Sequence, residues 1–142
     1  MSEFNRLSEL FPQDFFSRKG VERLCREAEI APSKALGQNF LYQRTTLDAM
    51  VRDLEVPHKS KVIEIGCGFG HLTVSILDCG YSVVAFETDG RLLKWLMGCV
   101  GDRLQIHCCD ILTYDLSPYF EGSSDVFIVG NLPYSSASSM LF

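Results

Sequence analysis

Apolar positions in this chain repeat first with helical spacing and then, from residue 61 onward, in short strand-like runs. In "GVERLCREAEI" the positions Val21, Leu24, Cys25 and Ala28 stand at i, i+3, i+4 and i+7, which predicts a leader helix that Pro32 ends. A second stripe, Leu47, Met50, Val51 and Leu54, predicts a helix with Thr45 or Thr46 as its N-cap and a stop before Pro57. The linker "SKALGQNFL" joins them. Beyond it, "KVIEIG", "YSVVAFE", "RLQIHCCD" and "DVFIVGN" predict strands over 61–65, 82–87, 103–108 and 125–129, with the helical patterns "HLTVSILDCG" and "RLLKWLMGCV" between them. That alternation predicts βαβ units on a parallel sheet, with ligands at the carboxyl ends of the strands.

Composition narrows the class. With 142 residues, 46% hydrophobic and 22% charged, the chain reads as one soluble globular unit. No apolar run approaches the roughly 18 residues a membrane span needs, and the first thirty residues carry charge throughout, so the reading is cytoplasmic, with no membrane partner. Without a secretory signal the six cysteines, Cys25, Cys67, Cys79, Cys99, Cys108 and Cys109, read as reduced thiols and small buried hydrophobes. They form no C-x-x-C pair, and His58, His71 and His107 are scattered, so no metal is expected. A net charge of −5 argues against a generic polyanion binder. Residues 18–44 nevertheless hold six bases against three acids, a basic arm that reads equally as an RNA-facing patch or a solvated helix face.

The first predicted strand runs into Gly66-Cys67-Gly68-Phe69-Gly70, a turn whose missing side chains let a ligand approach the backbone. A nicotinamide fingerprint wants its third glycine at position 71, which is His, so the spacing suits a nucleoside better than a dinucleotide and disfavours an oxidoreductase. Glu87 ends the second strand, where an acid can accept from both ribose hydroxyls, with Asp89 as its competitor. Asp110 ends the third and is placed to accept from an adenine amine. For any one of these acids a capping role competes with binding; glycine turn, acid and acid in succession point to an adenosine-type ligand. The fourth strand ends in Asn131-Leu132-Pro133-Tyr134, which as a turn needs no function. The functional alternative is two acceptors, the Asn131 amide and the Leu132 carbonyl, above the flat face of Tyr134, a set that holds a flipped-out adenine.

With "LGQNFL" (36–41), "EIGCGFGHLT" (64–73), "FETD" (86–89), "CD" (109–110) and "GNLPY" (130–134) in order, the sequence resembles the ribosomal RNA adenine dimethyltransferases, from about residue 20 to the last residue. The resemblance implies an α/β, Rossmann-like S-adenosylmethionine-dependent methyltransferase fold. Its cofactor site would use Gln38, Asn39, Leu41, Gly66, Gly68, Glu87 and Asp110 together with Asn131, and Asn131, Leu132 and Tyr134 would receive the target adenine. Cys67 stands where the family usually has proline, a change in loop stiffness more than in chemistry.

The expected function is dimethylation of adenine N6 in small-subunit ribosomal RNA or a pre-ribosomal subunit. Leu132 favours that branch over the large-subunit resistance enzymes. A non-catalytic RNA-binding, assembly or transcription factor on the same fold is the alternative from another class. The expected division is 1–44, leader helix and linker, and 45–142, a partial methyltransferase domain. The resemblance implies further strands and a helical RNA-binding domain beyond Phe142, so the fold is expected to be truncated after its fourth strand, with an open edge on "DVFIVG" prone to self-association.

Overall fold

The computed structural model describes residues 7–31, 41–57, 60–122 and 125–130. Four strands, β1 (Lys61–Ile65), β2 (Ser82–Phe86), β3 (Leu104–His107) and β4 (Val126–Gly130), form one parallel sheet in the order β3-β2-β1-β4. This is the architecture expected of the alternating pattern. Each strand boundary lies within one residue of its expected place; Glu87 and Cys108 fall just past the strands, in the loops that carry the site.

Period-two alternation splits the strands between two cores. Val62, Val83, Ala85 and Leu104 face a large core, while Ile63, Val84 and Phe86 face a smaller one with Ile111. The large core is roofed by α1 (Arg18–Glu27), α2 (Arg44–Asp53) and α3 (His71–Asp78). Every residue of α3 from His71 to Leu77 is buried, as in a helix enclosed on all sides. A short α4 (Lys94–Met97) and α5 (Ser117–Phe120) follow β2 and β3.

The leader helix forms as predicted, but Pro32 does not end it. Glu29 takes a left-handed φ of 58°, and the Glu29 and Ile30 amides donate to the Arg26 and Cys25 carbonyls. This is a Schellman stop three residues ahead of the proline, with Ile30 packed on the core. At the second helix neither threonine caps: α2 begins at Arg44, and Gln43 precedes it without a side-chain cap.

Residues 7–17, for which the sequence reading had no element, form a strap across α3. Phe11 and Phe15 enter the main core, Ser17 caps α1 by accepting from Gly20, and the Ser8 amide donates to Asp78 at the far end of α3. Arg44 pairs with Asp78 at 2.7 Å and lies over the Phe16 ring at 4.7 Å. Half of the basic arm's six bases are thus paired within the fold: besides Arg44, Arg18 pairs with Glu22, and Arg23 with Asp14 and Glu27. The six thiols are all free, yet only Cys25 and Cys67 are buried; Cys79 and Cys108 are exposed, against the expectation of six buried hydrophobes. No helix among the described residues is long and apolar enough to cross a membrane.

Candidate functional site

The carboxyl ends of β1, β2 and β3 bring the glycine turn, Glu87 and Asp110 to one edge of the sheet. The turn owes its course to backbone conformations that suit glycine: φ is 70° at Gly66, 56° at Gly68 and 97° at Gly70. Its entry is hung on β2, where the Phe86 carbonyl accepts from both the Gly66 and Cys67 amides. At its exit a Cβ on Gly70 would lie 2.4 Å from the Leu96 side chain, so only glycine lets α3 start against α4.

Glu87 is tied into this turn. Its Oε2 accepts the Gly68 amide at 2.8 Å and its Oε1 the Asp89 amide at 3.0 Å. The Thr88 hydroxyl also donates to Oε1, at 3.4 Å; a carboxylate has about four acceptor positions, so these bonds orient the group and leave it able to accept from a further hydroxyl. The competitor Asp89 is differently engaged. Arg91 grips both of its oxygens, at 2.9 and 2.6 Å, and its Oδ1 also caps the following turn; the Arg91 hydrogen bond is the main cause of its lowered pKa. Of the two acids, only Glu87 faces the glycines.

Asp110 has the capping role foreseen as its alternative. Its Oδ1 accepts from the Leu112 amide at 2.9 Å, while its Oδ2 has no donor among the described residues. Capping and ligand binding are therefore compatible, one oxygen to each. Leu41 is half-buried against the main core. Gln38, Asn39, Asn131, Leu132 and Tyr134 lie outside the described residues.

Two functional-looking groups were missed by the motif reading. Glu64, on β1 two residues before the turn, is buried; it accepts from Thr73 at 2.5 Å, and burial pushes its pKa up to about 7. Its signal was the alternation in "VIEIG", which sets Glu64 on the core face with Val62. His71, the residue that broke the dinucleotide fingerprint, is buried, stacks on Phe15 with centroids 4.1 Å apart, and brings Nε2 to 2.7 Å from the Phe15 carbonyl. Burial holds its pKa down at about 4, so the ring is neutral near pH 7, and since a carbonyl only accepts, Nε2 carries the proton. The Phe11 and Phe15 spacing before α1 was the available clue. Burial, together with Glu64 and Glu87, pushes the Cys67 thiol far up, so it has no thiolate chemistry at the turn. No cluster of three metal-ligating side chains occurs among the described residues.

Comparison with known proteins matches residues 32–142 to the family described as ribosomal RNA adenine dimethylase. The chain is 34% identical over 125 residues to ribosomal RNA small subunit methyltransferase A of Mycobacterium leprae, covering 84% of this chain and 41% of the relative. Against the protein of the same name from Prosthecochloris aestuarii it is 38% identical over 117 residues, covering 82% and 44%. It therefore spans about two fifths of the length of these relatives. Among solved structures it is similar to the 23S rRNA methyltransferase ErmE (TM-score 0.56, 28% identity, covering 72% of this chain and 41% of that one). It is also similar to a dimethyladenosine transferase from Plasmodium falciparum (TM-score 0.54, 25% identity, covering 69% and 35%).

Proposed function

We propose, on the premise that this chain belongs to the ribosomal RNA adenine dimethylase family, that it carries the S-adenosylmethionine-binding part of an enzyme that dimethylates adenine N6 in small-subunit ribosomal RNA. The observation that supports this most is the lacing of the glycine turn to Glu87 at 2.8 Å, which sets an oriented carboxylate at the sheet edge beside the exposed Gly66. Those residues fit a nucleoside. Glu87 keeps acceptor capacity for a ribose hydroxyl, Asp110 keeps Oδ2 for an exocyclic amine, and Gly66 is exposed at the strand end for the methionine part. Gln38, Asn39 and Leu41 close over that part in this reading.

The cofactor, when bound, supplies an electrophilic methyl group on a sulfonium. The chain's own work is to present the amine. The Asn131 side-chain oxygen and the Leu132 carbonyl accept its two N–H bonds, drawing the lone pair out of conjugation with the ring, and Tyr134 stacks beneath the base. No strong base is needed for this, because the amine sheds its proton readily once it has become cationic.

The naming of the two relatives supports the small-subunit substrate, and Leu132 agrees with it. Calorimetry with S-adenosylhomocysteine on this chain, joined to a methyl-transfer assay on a chain extended to its relatives' length, tests the reading. Binding, with transfer to unmodified small-subunit RNA, is expected. Transfer to large-subunit RNA instead would move the protein to the resistance branch, and a folded chain that binds no S-adenosylhomocysteine would overturn the cofactor assignment.

A further inference from the structure

The residues before position 32 precede the family match, yet they grip the glycine turn at two positions flanking Gly70. On one side Phe69, buried, shares a small cleft with Leu24 of α1 and with Ala28 at the helix's C-cap. On the other, His71 is fixed in three ways. It stacks face to face on Phe15 (14° between planes), makes a T-shaped contact with Phe16 (centroids 5.7 Å apart), and donates from Nε2 to the Phe15 carbonyl. Phe15 is itself closely held: it is fully buried, Phe11 packs on its ring with centroids 4.5 Å apart, and its amide donates to the Pro12 carbonyl at 2.9 Å. The strap also reaches the other end of α3 through Ser8 and Asp78, so it braces the whole helix that the turn opens.

We infer that the N-terminal strap is a positioning element for the cofactor turn, and that His71 is the residue through which it acts: the Phe15 carbonyl holds the imidazole, and the imidazole holds the exit of the turn at Gly70. The chemistry calls for a donor at this position in addition to a ring. A neutral imidazole supplies one N–H to the strap and a flat face to Phe15 at once. An aliphatic residue would supply neither, and a permanent cation would carry a buried charge.

This inference rests on the cofactor reading for its consequence but not for its first test. In the ligand-free chain the turn amides have defined partners, Gly66 to Phe86, Gly68 to Glu87 and Gly70 to Cys67, so their hydrogen exchange reports the order of the turn directly. The variants are His71→Phe, which keeps the stack and removes the donor, and His71→Gln, which keeps an N–H for the carbonyl. In His71→Phe the amides of Gly68 and Gly70 should exchange at least about tenfold faster, while those of Val74 to Leu77 in α3 stay protected. S-adenosylhomocysteine binding should weaken about tenfold in the same variant, and His71→Gln should restore both readouts to within about threefold of the parent. Parent-like exchange at the turn in a folded His71→Phe chain would overturn the positioning role. So would loss of protection spread evenly over α3, which would show a merely structural one. A loosened turn in a protein whose parent binds no S-adenosylhomocysteine would leave the strap's role standing and overturn the cofactor assignment instead. Should His71→Phe fail to fold, Phe15→Leu, which removes the ring that the imidazole stacks on, must speed exchange at Gly68 and Gly70 ahead of Val74 to Leu77 for the inference to hold.

Discussion

Glu87 Oε2 accepts the main-chain amide of Gly68 at 2.8 Å, joining the acid after one strand to the glycine turn after its neighbour. The carboxylate is thereby oriented before any ligand arrives, which reduces the ordering cost of binding.

Glu87→Ala should lower affinity for S-adenosylhomocysteine at least about tenfold, since a hydrogen bond to a charged group contributes about 1.5 to 3 kcal/mol. It also releases the turn. Glu87→Gln keeps one acceptor for Gly68 but sets an amide donor against another donor, so it should fall between the parent and Glu87→Ala. Calorimetry on the three chains gives the order, and equal binding by all three removes Glu87 from the site.

In a chain extended to its relatives' length, Asn131→Ala should reduce methyl transfer to unmodified small-subunit RNA by at least about a hundredfold, because an acceptor aimed at the reacting amine acts on the transition state. Cofactor affinity should change by no more than a few-fold, and comparing the two quantities separates target positioning from cofactor binding. Dimethyladenosine made at the parent rate would remove Asn131 from the chemistry.

His71 and Glu64 set opposing pH dependences. The His71 pKa is lowered from 6.5 to about 4, so the stability of its neutral, buried form is complete above pH 6.5 and is lost as pH falls toward 4. The Glu64 pKa is raised from 4.5 to about 7, so the penalty for burying its charge is absent below pH 4.5, grows as pH rises, and is complete above 7. Between pH 5 and 7.5 each changes stability by about 2 kcal/mol, with opposite signs, so the two oppose each other in the parent. Glu64→Gln should make the protein less stable at pH 5 than at 7.5 by about 2 kcal/mol, and His71→Gln should do the reverse. Urea unfolding at the two pH values is the check; flat profiles in both variants would show that neither group titrates in this window.

Glu29→Gly should stabilise the chain by about 0.5 to 1 kcal/mol, because the left-handed conformation at the end of α1 costs a side-chain-bearing residue about 1 kcal/mol that glycine does not lose. The Glu29 carboxylate attracts the exposed Arg91 guanidinium, a solvent-screened interaction too weak to cancel the gain. A melting temperature unchanged or lowered by this substitution would show that the Schellman stop is not strained.

The order of elements, the parallel sheet and the site edge were legible in the sequence because they rest on local rules. Alternation in "KVIEIG" and "YSVVAF" makes strands with two buried faces, and crossovers between parallel strands send their carboxyl ends to one side. Gly66, Gly68 and Gly70 announce a turn that suits backbone without side chains. Even the burial of Glu64 could be read from its place in the alternation. What needed the tertiary structure were choices between chemically equal candidates and contacts across long sequence separations. Glu87 and Asp89 are two residues apart and alike in chemistry; Arg91 claims one, and the Gly68 amide the other. The stop at Glu29, in place of the expected one at Pro32, depends on Ile30 finding the core. His71 reads in the sequence only as a broken fingerprint, and becomes an anchored residue because Phe15, 56 residues earlier, offers a ring and a carbonyl at the same place. No local pattern carries that pairing, since hydrogen bonding and stacking are decided by which surfaces the chain brings together as it closes its core.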